Sequence, residues 1–118
     1  MNRLTIQIFS EDLFESFEHY KEAFGATLLF TANGSQNELI HLEMDVMGNK
    51  LALAPYKKSG NINNNVVLCI KFQNKDDLMT AYNILKENGL SDGLKSFPWS
   101  PLEGYVTDKF GVKWCIGI

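Results

Sequence analysis

The sequence has no long hydrophobic run. No stretch approaches the roughly 20 apolar residues that a membrane-spanning helix needs. The opening residues meet acidic Glu11 and Asp12 early and contain no apolar core of the kind found in secretory signal peptides. With 118 residues, the chain suits one globular domain, 1–118, that can bury a hydrophobic core. We therefore expect a cytoplasmic protein with no membrane partner.

Positive charge is also in short supply. The chain has 11 Lys and Arg against 14 Asp and Glu, which gives a net charge of −3. This balance argues against nucleic acid or an anionic membrane surface as a partner. Cysteine is scarce as well, because only Cys69 and Cys115 occur, each within an apolar stretch. We expect both to be buried free thiols rather than a disulfide.

The common catalytic motifs are missing. The sequence contains no Gly-x-Ser-x-Gly, no P-loop, no Gly-x-Gly-x-x-Gly after a strand and no Cys-x-x-Cys. These motifs would have indicated a nucleophilic serine, a phosphate or dinucleotide site, or a dithiol redox centre. The sequence therefore assigns no catalytic residues and does not decide whether the protein is an enzyme.

The C-terminal stretch has the clearest local pattern. Tyr105–Thr107 is aromatic and β-branched, which favours a strand. Asp108–Gly111 is a turn sequence, because Asp can bond its own backbone and Gly tolerates positive φ. The apolar stretch 112–116 then predicts a second strand, so the chain is expected to end in a hairpin. Alternation places Thr107 and Cys115 on the side of Tyr105, with Trp114 and Ile116 toward the helices.

The first half predicts a strand, a helix and three further strands. Residues 4–9 alternate, and Ser10 is expected to cap a helix that ends at Gly25. Strands are predicted at 26–32, 39–47 and 50–54, with turns at Asn33-Gly34 and Gly48-Asn49. The helix carries an apolar stripe made of Leu13, Phe17, Tyr20 and Phe24. In the third strand, His41, Glu43 and Asp45 share one face and Ile40, Leu42, Met44 and Val46 share the other.

The second half repeats this order after a surface loop, 55–65. A strand at 66–72 precedes a helix that is capped by Asn74 and closed by Gly89, the same cap-to-glycine distance as in the first half. A strand at 94–99, a break at Pro101 and the closing hairpin follow. The stripe of this helix consists of Leu78, Ala81 or Tyr82, and Leu85. The repeat predicts two βαβββ modules, 1–56 and 65–118. A single ferredoxin-like α+β sandwich is the alternative, but three strands after each helix favour paired modules.

Several stretches in order resemble the PhnB-like branch of the vicinal oxygen chelate superfamily, which includes glyoxalases, bleomycin resistance proteins and dihydroxybiphenyl dioxygenases. They are 19–26, 41–44 with 47–53, Trp99, and 106–114, and they span nearly the whole chain. The resemblance implies an α+β fold in which two βαβββ modules form a curved, mostly antiparallel, open barrel-like sheet with the helices outside. It also implies a ligand-binding cleft and a homodimer.

Metal-dependent members of this superfamily place three His, Glu or Gln ligands in the cleft. Those positions fall near Thr5, Leu68 and Cys115 here, and these residues do not supply such a donor set. We therefore predict no metal and no cofactor. His41 and Glu43 are the remaining candidates for a polar site. Their place in the resembling central hairpin favours the cleft, and the alternative is the solvent-facing or dimer-facing side of an edge strand. His19 is expected at a helix end, where it would complement the helix dipole.

The resemblance and the alternation together imply a cleft that suits a small, partly apolar ligand. Its predicted lining consists of Gln7, Phe9, His41, Glu43, Leu68, Trp99, Tyr105, Thr107 and Cys115. Three functions are compatible with the sequence. The first is a metal-free small-molecule binder, the second is a metal-dependent lyase, isomerase or antibiotic-resistance enzyme, and the third is a dimeric partner-binding protein without a small ligand.

Overall fold

The computed structural model describes residues 3–55 and 66–118, and the chain divides into two compact units, Met1–Gly60 and Asn61–Ile118. The first unit contains β1 (Ile6–Ser10), α1 (Leu13–Phe24), β2 (Thr27–Asn33), β3 (Leu39–Val46) and β4 (Asn49–Pro55). The second contains β5 (Leu68–Lys71), α2 (Lys75–Lys86), β6 (Leu90–Ser91), β7 (Lys95–Phe97), β8 (Ser100–Thr107) and β9 (Lys113–Gly117). Apart from Pro55, the predicted surface loop lies outside the described residues.

The strands of both units are arranged in the same order. The first sheet runs β1-β4-β3-β2 and the second runs β5-β9-β8-β6, with β7 also paired to β8. In each sheet the first and last strands of the unit are parallel neighbours, and the other pairs are antiparallel. The predicted α+β class with a repeated strand–helix–strands order is confirmed, and one ferredoxin-like sheet is excluded. No helix in the described ranges is long and apolar enough to cross a membrane.

The first helix begins two residues later than predicted. Asp12, and not Ser10, is the N-cap, and its Oδ1 accepts a hydrogen bond from the Glu15 N–H at 2.9 Å. Ser10 is the last residue of β1, and its buried hydroxyl bonds to that of Ser16 instead. The predicted apolar stripe is buried, and Gly25 closes the helix in the left-handed conformation, as expected.

The second helix begins as predicted but ends differently. Asn74 caps it by accepting a hydrogen bond from the Asp77 N–H at 2.8 Å. Glu87 is the C-cap, and the residue at positive φ at this helix end is Asn88 and not Gly89, which was expected to close the helix. Gly89 serves another purpose, because a Cβ there would lie 2.4 Å from the Thr107 carbonyl oxygen and 3.0 Å from that of Leu85. The glycine lets backbone segments approach closely.

Replacing Gly89 with alanine is therefore expected to destabilise the protein by about 1–3 kcal/mol, the usual cost of overpacking. The contacted atoms belong to the backbone, so they cannot move aside as a flexible side chain could. Urea unfolding followed by circular dichroism measures the change. Asn88→Gly is the control, since glycine accepts the left-handed conformation and should leave stability nearly unchanged. Equal effects of both substitutions would contradict the close-approach explanation.

Several strand boundaries also differ from the prediction. β1 begins at Ile6, and Leu4 precedes it, outside the paired segment, with its side chain almost fully exposed. The turn between β3 and β4 is formed by Met47 and Gly48, both at positive φ, one residue earlier than expected. Pro101 does not break the chain but lies within β8, near a register shift in the β7–β8 pairing. A proline is tolerated at such an irregular strand end.

The closing hairpin forms around Asp108, which is 3% exposed. Its Oδ1 accepts hydrogen bonds from the N–H groups of Phe110 at 2.9 Å and Val112 at 3.0 Å, and its Oδ2 accepts one from the Trp114 indole N–H at 2.8 Å. Trp114 and Ile116 are buried, and α2 packs on β8 and β9. This confirms the predicted turn and the predicted core role of Trp114.

Candidate functional site

Each sheet has one face packed against its own helix. In the first unit, α1 packs on β3 and β4. Buried side chains alternate with partly exposed ones along β3, whereas β4 has three buried residues in succession, 51–53. The buried residues on the helix-packed face are Leu42, Met44, Val46, Leu51 and Leu53, and Ala52 on the other face is also buried, with 2% exposed. We call the opposite face of each sheet its helix-distal face. The predicted polar residues of β3, His41 and Glu43, lie on this face because strand side chains alternate.

The strand register places small residues in the middle of the first helix-distal face. Gln7 and Phe9 of β1 pair with Ala52 and Ala54 of β4, and Glu43 of β3 pairs with Ala52 from the other side. Adjacent strands are about 4.8 Å apart, so the two flanking rows lie about 9–10 Å apart with the alanines between them. Phe9 is 51% exposed. The result is an alanine-floored trough with polar groups and an aromatic ring along its sides.

His41, Glu43 and Lys50 form a polar cluster on this face. Glu43 Oε2 lies 2.8 Å from His41 Nε2, and Glu43 Oε1 lies 2.7 Å from Lys50 Nζ. The hydrogen bond to His41, and then the one to Lys50, hold the pKa of Glu43 below its ordinary value, although partial burial acts in the opposite direction. The carboxylate therefore stays ionised to lower pH than an isolated Glu side chain.

An aromatic ring borders this cluster. Phe30 pairs with Glu43 in the β2–β3 register, is 52% exposed, and has its ring centroid 6.2 Å from that of His41. Asp45, the third acidic or basic residue of the predicted row, has a local role instead. Its Oδ2 accepts a hydrogen bond from the Gly48 N–H at 3.1 Å and so closes the β3–β4 turn.

In the second unit the register separates the predicted residues. Cys115 pairs with Cys69 on one side and Tyr105 on the other, so all three lie on the second helix-distal face. Thr107 lies two residues from Tyr105 on the same face. Leu68 pairs with Trp114, which is buried, and so belongs to the helix-packed face. Cys69 therefore occupies the position among these residues that the sequence assigned to Leu68.

Trp99 lies at the hairpin between β7 and β8 and is 65% exposed. Its indole N–H donates to Glu103 Oε2 at 3.0 Å, and its ring stacks on Phe97 with centroids 5.0 Å apart. Glu103 in turn lies against Gly117, where an added Cβ would come within 3.0 Å of its side chain. The indole therefore contacts Glu103 and Phe97 while much of its surface stays exposed.

The two cysteines differ from their predicted burial. Cys115 is 8% exposed as expected, whereas Cys69 is exposed, and both are free thiols. Burial raises the pKa of the Cys115 thiol to about 11, and the charge of Glu103 and the neighbouring Cys69 add to the effect. Cys69 is exposed because β5 has a single strand neighbour, β9, in the sheet.

His19 does not lie at a helix end. It occupies the middle of α1, is buried, and packs its ring 6.0 Å from that of Tyr20, while Lys21 is the basic residue of the last turn. The prediction of a dipole-complementing role was therefore wrong. The helix continues to Phe24, so His19 is too far from the C-terminal carbonyl groups.

The donor set expected of a metal-dependent member is not assembled. Thr5 precedes β1, Leu68 faces the helix side and Cys115 lies on the helix-distal face. Within residues 3–55 and 66–118, no three His, Cys, Asp or Glu side chains are grouped so that they could hold a metal ion. His41 and Glu43 adjoin each other, but their third partner is the cation of Lys50. An ammonium group competes with a metal ion for the same carboxylate.

Sequence reasoning missed three residues of these faces: Phe30, Lys50 and Cys69. Lys50 could have been found from the β3–β4 turn, because it lies opposite Asp45. Cys69 required the parallel β5–β9 register, for which the sequence carries no local signal. The position of Phe30 beside Glu43 could not be predicted from alternation, because the β2–β3 register shifts between Leu28 and Phe30.

The chain is similar to known proteins along its whole length. A family model described as the Glyoxalase/Bleomycin resistance protein/Dioxygenase superfamily matches residues 2–116. No curated protein sequence matches the chain significantly.

Solved structures share the fold at low sequence identity. A PhnB protein from Bacillus cereus is 18% identical with a TM-score of 0.85, and 98% of each chain is covered. Protein PA1353 from Pseudomonas aeruginosa is 18% identical with a TM-score of 0.83, over 99% of this chain and 97% of that one. A third structure is a mutant of the fosfomycin resistance protein FosX from Listeria monocytogenes, complexed with Mn(II) and 1S,2S-dihydroxypropylphosphonic acid. It is 12% identical with a TM-score of 0.75, over 99% of this chain and 92% of that one.

Proposed function

Because this chain belongs to the Glyoxalase/Bleomycin resistance protein/Dioxygenase superfamily, we propose that it binds a small, partly apolar molecule on its helix-distal sheet faces without a catalytic metal. Its fold is that of the PhnB protein and PA1353. The proposal does not assign a reaction.

The observation that carries the proposal is the alanine-floored trough of the first unit. The trough combines an exposed ring, Phe9, with hydrogen-bonding groups of Gln7, His41 and Glu43. A mostly apolar surface with a few placed polar groups is the usual character of a small-molecule site. Because Glu43 is already bonded to His41 and Lys50, a ligand with a hydrogen-bonding or anionic group would be oriented by the two basic side chains.

A thermal-shift screen of small aromatic and amphipathic acids tests this function. We expect at least one compound to raise the melting temperature, and to do so less in Phe9→Ala and His41→Ala. The matched control is Phe14→Ala, which removes an equally exposed ring from helix α1. A hit that stabilises all four proteins equally, or a diverse screen without hits, would contradict a ligand site on this face.

Metal content is the second test. We expect less than one equivalent of Zn, Ni, Mn or Fe after purification without added metal, and no loss of fold on chelation. The reason is the donor set, since the family positions hold Thr5, Leu68 and Cys115 and the Glu43 carboxylate is bonded to Lys50. Elemental analysis measures the content. Stoichiometric metal that disappears in His41→Ala or Glu43→Ala would overturn the metal-free proposal.

That outcome would favour a second function, a metal-dependent lyase, isomerase or antibiotic-resistance enzyme. The FosX structure with Mn(II) supports keeping this alternative, because it shares the fold of this chain. The adjacent His41 and Glu43 would be the ligands to examine first, since they are 2.8 Å apart on one sheet face.

We further propose that the protein is a homodimer. β2 is an edge strand of its sheet, and its consecutive apolar residues Leu28, Leu29 and Phe30 are all exposed. Exposed apolar edges are commonly covered by another chain. We expect a dimer mass by light scattering at micromolar concentration, and a smaller mass for Leu29→Lys. A monomer mass for the wild-type protein would refute this, and a dimer without any ligand in the screen would favour partner binding as the function.

A further inference from the structure

Cys69 and Cys115 are brought together by the fold although 45 other residues separate them in the chain. They are register partners in the parallel β5–β9 pair, so their side chains project from the same face of neighbouring strands. Strands in a sheet are about 4.8 Å apart, a spacing that lets two facing cysteine side chains reach one another. The nearby Cys69 is one of the groups that raise the pKa of the Cys115 thiol, after burial and Glu103.

The pair is accessible from one side. Cys69 is exposed, whereas Cys115 is 8% exposed and lies between Cys69 and Tyr105 in the sheet. A ligand would therefore meet Cys69 first and reach Cys115 next, on the helix-distal face. A lone Cys115 would be a poor site for a soft ion, but the register supplies it with a converging second sulfur.

From this geometry we propose that Cys69 and Cys115 form a two-coordinate site for a soft monovalent cation, Cu(I). Thiolates select soft ions such as Cu(I), whereas zinc in a structural site requires four ligands. On binding, two Cu–S bonds form and two S–H bonds break. Two protons are released, and the copper stays in the +1 state, so no oxidant or reductant is needed.

The charged neighbours of the pair partly balance the site. The two thiolates and the copper ion carry a net charge of −1. Lys71 lies two residues beyond Cys69 on the same face, and Lys113 lies two residues before Cys115. Glu103 lies two residues before Tyr105 on the same face, and its negative charge offsets part of the positive charge of these lysines. The buried thiol of Cys115 must lose its proton to the entering metal, so binding will be coupled to proton release.

The test is an anaerobic titration of reduced, metal-free protein with Cu(I) against a coloured Cu(I) chelator. We expect one equivalent to be withdrawn from the chelator, with two protons released per copper. Cys69→Ser and Cys115→Ala should each lose the stoichiometric binding. Thr107→Ser, on the same face but without a sulfur, should keep it, and circular dichroism checks that every variant is folded.

Undiminished binding in Cys69→Ser, or no binding by the wild-type protein, would overturn the proposal. Because Cys69 is exposed and at a sheet edge, its serine variant should fold even if Cys115→Ala does not. Zn(II) in the same titration should not be retained, which separates a two-coordinate thiolate site from a general metal site. The small-molecule screen uses metal-free protein. The copper titration can therefore fail without affecting the proposed small-molecule function, and the screen can fail without affecting the copper proposal.

Discussion

Replacing Trp114 with alanine is expected to lower the free energy of unfolding by roughly 3–5 kcal/mol. The side chain is 1% exposed and lies on the face of β9 that packs against α2. Its removal creates a cavity in the core of the second unit. It also takes away the indole N–H that donates to the buried carboxylate of Asp108 at 2.8 Å. Both losses act in the same direction, which places this substitution among the most damaging in the chain.

Urea unfolding followed by circular dichroism measures this effect, and Trp99→Ala is the matched control. Trp99 is the other tryptophan and is 65% exposed, so its truncation should cost less than about 1 kcal/mol. A small effect at Trp114, or equal effects at both tryptophans, would mean that the faces of β9 are assigned in reverse.

Asp108→Ala is expected to cost about 3 kcal/mol or more. The carboxylate accepts hydrogen bonds from two backbone N–H groups, of Phe110 and Val112, and from the indole of Trp114. Alanine would leave these donors without the acceptor, and hydrogen bonds to a charged group are the stronger kind. The turn between β8 and β9 should loosen as a result, which hydrogen exchange of the Phe110 and Val112 amides would detect.

Asp92→Ala, which removes an exposed carboxylate from the same unit, is the control and should change stability little. A double-mutant cycle with Trp114→Phe isolates the indole bond, since phenylalanine keeps an aromatic ring and lacks the N–H. We expect a positive coupling energy between the two positions. Strict additivity would show that Asp108 acts on the turn alone.

Local signals in the sequence predicted the helices and turns well. The apolar stripes of α1 and α2 are buried, Asn74 caps α2, and the Asp108–Gly111 turn forms as expected. These features depend on residues close in sequence, such as a side-chain oxygen that bonds an amide three residues on. Alternation also assigned His41 and Glu43 correctly to the face opposite Leu42 and Met44, because strand side chains point to the two faces in turn.

The predictions were wrong where a contact with another part of the fold overrides the local preference of a residue. Ser10 has the chemistry of a helix cap, but β1 continues through it and its hydroxyl bonds to Ser16. Gly89 has the chemistry of a helix end, but its lack of a Cβ is needed against the Thr107 carbonyl oxygen. Pro101 favours a break in the strand, but it lies at an irregular end of β8.

The sequence alone determined the α+β repeat, the superfamily, the core role of Trp114 and the shared face of His41 and Glu43, because periodicity and turn chemistry act over a few residues. Only the tertiary structure decided which strands are neighbours and in what register. The parallel pairing of β5 with β9 joins Cys69 to Cys115 and turns Leu68 toward the helix. A shift of one residue in the pairing register moves every side chain of a strand to the opposite face of the sheet. Interactions between residues close in sequence do not distinguish the two registers. The register is fixed by packing against α2, because it buries Trp114 and Ile116 on the face of the sheet that contacts this helix.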